Sequence, residues 1–200
     1  MENHITTNKH HRAILKEIAH TAMLERGLLP DFSREALAEL DRMDRSAAVN
    51  GNSIRDLRSL LWSSIDNDDS RDLDQLTFAE AVPDGSISIR VAIADVDSLI
   101  KEGSAINEHA RNNTTSVYTS AEIFPMLPEK ISTDLTSLNF NQDRVSIVIE
   151  MMVSADGSIG DSSIQRAWVR NHAKLAYNSV AAWLDGNRKI PEAITSVPGL

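Results

Sequence analysis

Aspartates are concentrated in one short segment of this chain. Five of them stand within nine positions, as Asp66, Asp68, Asp69, Asp72 and Asp74. Hard divalent cations such as Mg²⁺ prefer carboxylate oxygens and keep water or substrate phosphate as further ligands. Carboxylates this close repel one another, and a bound cation relieves that repulsion while keeping them ionised. The spacing therefore indicates cation-assisted chemistry, such as phosphodiester hydrolysis, in which a metal activates water and neutralises charge on the phosphate.

The same segment permits two other interpretations. Asp66, Asp68 and Ser70 match the first three ligand positions of a calcium-binding EF-hand loop, but Arg71 replaces its glycine and Thr77 its final glutamate. That pattern fails, so a calcium-binding regulator is kept only as a third alternative. Taken alone, the segment would also suit a solvated acidic turn between two strands, because charge clusters are more often solvated than catalytic.

The elements that would position this segment begin with two helices. Apolar residues recur at helical spacing over residues 11–25, and Gly27 is suited to end that helix. Ser33 is suited to cap a second helix that ends near Met43. We therefore predict a helical hairpin in the first fifty residues, with residues 11–45 as a candidate contact for a protein partner.

Strand patterning replaces helical patterning after residue 60. In chain order we predict a β-hairpin of residues 76–81 and 87–93 around Pro83-Asp84-Gly85, a helix over 104–112, paired strands over 145–153 and 159–169, and a helix over 174–184 that ends at Asp185-Gly186. Antiparallel strand pairs with helices between them predict the α+β class. A turn at Asn50-Gly51-Asn52 divides the chain into a helical region, 1–50, a linker, 51–60, and an α+β domain, 61–200.

Composition limits the partners and the compartment. The net charge is −9, and the excess of acid lies in residues 66–200, which hold eleven basic and twenty acidic side chains. No broad basic surface is therefore expected, and if a nucleic acid binds here, much of the positive charge that it requires must come from elsewhere. The sequence has no cysteine, no long apolar run and no secretory signal, which predicts a cytoplasmic protein without disulfides or membrane spans.

The acidic segment also stands in a wider pattern. Residues 66–74 resemble the aspartate signature of the ribonuclease II (RNB) family, in which an Asp follows a short apolar strand and an Asp-x-Asp-Asp group begins six residues later. The likeness is co-linear over roughly residues 60–185. It continues through Val91-Ala92-Ile93-Ala94-Asp95-Val96, Lys101-Glu102-Gly103-Ser104, Thr115-Ser116-Val117-Tyr118, Pro125-Met126-Leu127-Pro128, Ser137-Leu138-Asn139, Asp143-Arg144 and Asp156-Gly157.

The resemblance implies an exoribonuclease that hydrolyses single-stranded RNA from its 3′ end with Mg²⁺ and releases nucleoside 5′-monophosphates. It implies that Asp66, Asp72 and Asp74 hold magnesium at the scissile phosphate, with Asp74 the most important for chemistry. It also implies that Tyr118 stacks on the 3′-terminal bases of the RNA, a sequence-tolerant contact. The alternative for Tyr118 is a half-buried tyrosine of the core.

Two features depart from the family pattern. Gln75 stands where the family has a fourth Asp. Its oxygen is neutral and a weaker metal ligand, so a second metal ion is expected to be held less tightly than in the family's two-metal mechanism. The family's N-terminal cold-shock-type domains have no counterpart here, and the chain ends at Leu200 without a closing element. The sequence therefore predicts the first part of an RNB-type catalytic domain. The alternative function is a truncated, inactive remnant that binds RNA or protein.

The histidines and tryptophans are expected to be structural. His109 and His172 are isolated in sequence, so surface or capping roles are expected rather than metal ligation. Trp62, Trp168 and Trp183 are expected in the core or at an interface rather than as stacking platforms for bases.

Overall fold

The computed structural model describes residues 2–43 and 54–200, with side chains from residue 11 onward. The elements in chain order are α1 (Glu2–Glu25), α2 (Arg34–Arg42), β1 (Arg55–Asp56), β2 (Trp62–Asp66), β3 (Gln75–Ala81), β4 (Ile87–Ala94), a 3₁₀ turn (Val96–Ser98), α3 (Ala105–Asn113), β5 (Val117–Tyr118), β6 (Ile123–Phe124), a π-helical turn (Lys130–Leu135), β7 (Asp143–Val153), β8 (Ile159–Ala176), α4 (Tyr177–Leu184) and α5 (Glu192–Thr195).

The chain forms two compact units. The first contains α1 and α2 together with residues 99–130, and the second contains residues 54–98 and 131–200. The first unit contains helices and the short strands β5 and β6, and the second contains the main sheet with α4 and α5. This combination confirms the α+β class. The predicted turn at residues 50–52 lies outside the described residues, and the domain limits 1–50, 51–60 and 61–200 stay a prediction.

Side-chain caps fix the short helices of the first unit where the sequence predicts them. The hydroxyl of Ser33 accepts a hydrogen bond from Ala36 N at 3.1 Å, and that of Ser104 accepts one from Asn107 N at 3.3 Å. The longest helix, α1, begins at Glu2, nine residues before the predicted start. The prediction relied on apolar spacing, which the polar residues 2–10 lack although their backbone is helical.

Buried polar contacts hold the first unit together. Asn113 is 1% exposed, and its carboxamide accepts from Leu29 N and donates to Leu29 O, each at 2.8 Å. The ring of His109 stacks on Phe32 with 4.1 Å between centroids. His109 is buried, so the expected surface or capping role is wrong for this residue: its imidazole is a core group. Its isolation in sequence did not indicate burial.

The second unit is a mixed sheet whose pairings close into a ring. The strand order is β1-β8-β2-β3-β4-β7, and β7 also pairs with β8. The predicted antiparallel pairs β3–β4 and β7–β8 are confirmed. The last part of β8 pairs with β2 in parallel, with Asp66 opposite Ala176, which the sequence did not predict. Because β8 stays paired through Ala176, α4 begins at Tyr177 rather than at the predicted residue 174.

Side chains of these strands and of the segments beside them form one apolar core. Its buried members are Leu57, Trp62, Leu76, Ala92, Leu138, Val148, Ala167 and Val169. Trp62 is fully buried, and its indole Nε1 donates to Leu57 O at 2.8 Å, so its predicted core role is confirmed. No helix in the described part of the chain is long and apolar enough to cross a bilayer.

Candidate active site

The aspartates occupy the connection between two strands of the second unit. We name residues 66–75 the acidic loop: β2 ends at Asp66 and β3 begins at Gln75. Strands on both sides are incompatible with an EF-hand, in which helices flank the loop. The carboxylates of Asp68, Asp69, Asp72 and Asp74 are exposed, whereas Asp66 is half-buried.

Hydrogen bonds fix the carboxylate of Asp66. Its Oδ1 accepts from Asn67 N at 2.7 Å and from the hydroxyl of Ser70 at 2.9 Å. Both bonds fall on the same oxygen, and Oδ2 takes part in neither. The chain turns tightly here, because Ser70 N also donates to Asn67 O at 3.2 Å. Asp66 is therefore oriented by its own loop before any ligand binds.

Leu73 anchors the second half of the acidic loop. Its side chain is 2% exposed, its N–H donates to the hydroxyl of Ser137 at 3.0 Å, and its carbonyl accepts from Leu138 N at 2.8 Å. Asp72 and Asp74 flank this buried residue and are exposed. Ordered backbone at Leu73 therefore fixes the points from which both carboxylates project, which suits groups that must act together.

Gln75 belongs to the sheet rather than to the free part of the loop. It pairs with Ile93 in the antiparallel register of β3 and β4, and the carbonyl of the preceding Asp74 accepts from Ala94 N at 2.9 Å. The exposed side chain of Gln75 lines a groove of about 360 Å³. The other lining residues are Ile65, Thr77, Tyr177, Val180, Ala181 and Leu184.

The donor set of the acidic loop suits a hard cation in its chemistry. Carboxylate oxygens are the ligands that Mg²⁺ prefers, and the ion commonly binds through only one or two of them while keeping several waters. Over the described residues, no group of three or more Asp, Glu or His side chains is placed so that it could hold a metal ion, so the structure does not gather Asp66, Asp72 and Asp74 around one point. Their carboxylates suit Mg²⁺ by their chemistry, and an ion held by one or two of them with water as its other ligands is compatible with this arrangement.

Tyr118 lies in the first unit, on the short strand β5. Its backbone pairs with Ile123 of β6, and the residue is 69% exposed. The predicted alternative, a half-buried core tyrosine, does not hold, because a core ring would be largely covered. An exposed phenol ring offers a face on which a nucleobase can stack.

Asp143, part of the family-like pattern, forms an ion network away from the acidic loop. Its two carboxylate oxygens accept from Arg170 at 2.6 Å and from Arg58 at 2.9 Å. Hydrogen bonding to Arg170, and then to Arg58, holds the pKa of Asp143 below its ordinary value. This carboxylate is engaged by two guanidinium groups, so it stabilises β7 and β8 rather than offering a free ligand.

Three further residues support the acidic loop or the strands beside it, and the sequence analysis did not predict this supporting role. Lys174 donates from Nζ to Ser70 O at 2.6 Å. Asp95 is 3% exposed and is paired with Arg166. Ser137 bridges Leu73 N and the carbonyl of Arg71. Ser137 and Asp95 stood in family-like motifs, which was a signal, whereas nothing local marked Lys174, because its partner lies more than a hundred positions away.

Comparison with known proteins agrees with this architecture. The RNB domain family matches residues 54–196. The chain is 39% identical over 137 residues to Ribonuclease R of Vibrio parahaemolyticus, and 37% identical over 134 residues to Exoribonuclease 2 of Salmonella heidelberg. These matches cover 68% and 66% of this chain but only 16% and 21% of the relatives.

A solved structure is similar over a longer part of the chain. Mycoplasma genitalium RNase R in complex with double-stranded RNA matches with a TM-score of 0.77 and 25% identity, over 86% of this chain and 31% of that one. The chain belongs to the RNB domain family, which confirms the resemblance to the ribonuclease II family.

Proposed function

We propose that this chain supplies part of the active site of a Mg²⁺-dependent exoribonuclease. The enzyme would hydrolyse single-stranded RNA from the 3′ end, release nucleoside 5′-monophosphates and act in the cytoplasm. The observation that carries the proposal is the acidic loop: Asp72 and Asp74 are exposed on both sides of the buried anchor Leu73, and Asp66 is oriented at the end of β2. Relatives named Ribonuclease R and Exoribonuclease 2 support the reaction class.

Each residue has a defined part in this proposal. Asp66, Asp72 and Asp74 would hold Mg²⁺, with Gln75 as a weaker neutral donor. Bound magnesium activates water and neutralises charge that develops on the scissile phosphate. Tyr118 would stack on a base near the 3′ end and accept any sequence, because every base has an aromatic face.

The test is a degradation assay on 5′-labelled single-stranded RNA with the purified chain, with and without Mg²⁺. The same assay is carried out with the variant Asp74→Asn and with a control, Asp161→Asn, which removes an exposed carboxylate from β8. We expect magnesium-dependent shortening from the 3′ end by the wild-type chain and the control, and loss of turnover in Asp74→Asn with RNA binding kept. Undiminished turnover in Asp74→Asn would contradict the role of Asp74.

A second candidate, an inactive RNA- or protein-binding member of the family, is favoured by Gln75. A neutral amide replaces the fourth carboxylate and adds no negative charge, so a second ion would be held less tightly. Gln75→Asp separates the two functions. Shortening by the wild-type chain excludes the inactive candidate, whereas shortening only in Gln75→Asp would show that Gln75 disables the site.

A further inference from the structure

Lys174 is the one basic side chain that the structure joins to the acidic loop by hydrogen bonds, within the described residues. Its Nζ donates to Ser70 O at 2.6 Å and lies 3.5 Å from Asp68 O. Both acceptors are backbone carbonyls rather than carboxylates. The ammonium group therefore fixes the path of the backbone and leaves the carboxylate oxygens of Asp68 available.

A chain of two hydrogen bonds connects Lys174 to a predicted metal ligand. Lys174 holds the carbonyl of Ser70, and the hydroxyl of the same Ser70 donates to Asp66 Oδ1 at 2.9 Å. Movement of the Ser70 backbone would displace that hydroxyl and remove one of the two hydrogen bonds that hold Asp66 Oδ1, leaving the bond from Asn67 N. The orientation of Asp66 thus depends in part on a side chain from a distant strand.

The sheet determines where Lys174 projects. In the parallel pairing of β2 and β8, Lys174 lies opposite Ser64 and Ala176 lies opposite Asp66. Its neighbours Ala173 and Leu175 are buried, whereas Lys174 is half-buried. Alternation along the strand therefore directs Lys174 away from the core, where its ammonium group reaches Ser70 of the acidic loop.

We infer that Lys174 is a positioning residue, which sets the magnesium affinity of the acidic loop by holding Ser70 and, through it, Asp66. The inference rests on the proposed function, since it assumes that Asp66 contributes to a Mg²⁺ site. Two effects of the ammonium group oppose each other: orientation of Asp66 favours ion binding, and the positive charge beside the site disfavours it. A group bonded directly to a metal ligand typically changes metal affinity by about 10- to 100-fold. Ser70 is such a group for Asp66, and Lys174 acts through Ser70, so we expect the orienting effect at the lower end of this range and larger than the opposing effect of the charge.

Isothermal titration calorimetry with MgCl₂ and the purified chain tests the inference without any need for turnover. We expect Lys174→Met to weaken Mg²⁺ binding about tenfold, and Lys174→Arg, which keeps a cationic donor, to restore most of it. Lys189→Met is the matched control, because it removes the same charge from an exposed lysine of the same unit. It should leave the affinity close to that of the wild type.

The substitution Ser70→Ala supplies a second test. It changes the acidic loop only slightly and leaves Lys174 in place. It removes the hydroxyl that orients Asp66, and we expect it to weaken Mg²⁺ binding in the same direction as Lys174→Met. If the wild-type chain binds Mg²⁺ and both variants bind it equally well or more tightly, the inference about Lys174 is overturned while the proposed metal site stands. No Mg²⁺ binding by the wild-type chain would overturn the inference together with the proposed metal site.

Discussion

Asp95 and Arg166 form an ion pair that joins β8 to the end of β4. Asp95 is 3% exposed, and both of its carboxylate oxygens accept from the guanidinium group, whose Nη2 lies 3.2 Å from Oδ1. Asp95 Oδ1 also accepts from Ser98 N at 3.2 Å. The N–H of Ala94, the residue before Asp95, donates to the carbonyl of Asp74 in the acidic loop. The ion pair of Asp95 and Arg166 therefore fixes backbone that contacts this loop.

We predict that Arg166→Met lowers the free energy of unfolding by about 2–3 kcal/mol, because it leaves a buried carboxylate without its cation. The value is below the range for a fully buried pair, since Arg166 is partly exposed. Urea unfolding followed by circular dichroism measures it. The double variant Asp95→Leu/Arg166→Met should lose less than the two single variants added together. Additive losses would show that the two side chains are not coupled.

We predict that Ser137→Ala loosens the second half of the acidic loop. The substitution leaves Leu73 N, which is buried, without an acceptor, at a cost of about 1–3 kcal/mol in the free energy of unfolding. Mg²⁺ affinity should fall too, since Asp72 and Asp74 flank Leu73. Urea unfolding and calorimetry measure the two effects, with the exposed Ser162→Ala as control. If stability falls but the Mg²⁺ affinity is unchanged, Ser137 stabilises the fold without positioning Asp72 and Asp74.

We predict that Tyr118→Ala weakens the binding of single-stranded RNA by about 1–3 kcal/mol, the contribution of one stacked base, while Tyr118→Phe keeps it. Fluorescence anisotropy with a labelled oligonucleotide in EDTA gives the affinity without cleavage. Ile123→Ala is the control, because Ile123 is the exposed cross-strand partner of Tyr118. Equal losses in the alanine and phenylalanine variants would point to the hydroxyl group instead of the ring.

We predict that His109 makes stability depend on pH. Burial lowers its pKa from the ordinary 6.5, although a hydrogen bond to the carbonyl of Pro125 opposes the shift. Below pH 6.5 the unfolded chain therefore binds a proton that the folded chain does not. The stabilisation by neutral His109 is complete above pH 6.5 and is lost as the pH falls toward the folded pKa.

Urea unfolding of the wild-type chain and of His109→Gln at pH 7.5 and 5.5 tests this sign. The wild type should lose more stability at pH 5.5 than the variant does, and the exposed His11→Gln should behave like the wild type. An equal loss in the wild type and in His109→Gln would assign the pH dependence to other groups.

Local signals in the sequence were sufficient for most elements and for the acidic loop. Ser33 and Ser104 begin helices as their hydroxyl groups predict, and the β3–β4 hairpin turns where Pro83-Asp84-Gly85 predicts. These features depend on neighbours a few positions away. Asp66, Asp72 and Asp74 were found for the same reason, by spacing and motif, although their metal-binding roles stay predictions.

Features that depend on distant partners were not predictable in this way. Three such features join residues that are about a hundred positions apart. They are the parallel pairing of β2 with β8, the extension of β8 to Ala176 and the contact of Lys174 with Ser70. The burial of His109 also arises from tertiary packing, on Phe32 of another segment. One sequence contains no periodic signal for such contacts.

The closure of the sheet by β8 has a consequence for the order of folding. The hairpin β3–β4, the pair β7–β8 and the antiparallel pairing of β2 with β3 form between neighbours in sequence. The parallel pairing of β2 with β8 instead joins residues about 110 positions apart, with Asp66 opposite Ala176. Contacts of such long range form late, because the entropy of loop closure opposes them until other structure is present. We expect pulse-labelled hydrogen exchange to protect amides of the β3–β4 hairpin before the amides that bond between β2 and β8. Lys174, near the end of β8, would then reach Ser70 of the acidic loop only in that late stage.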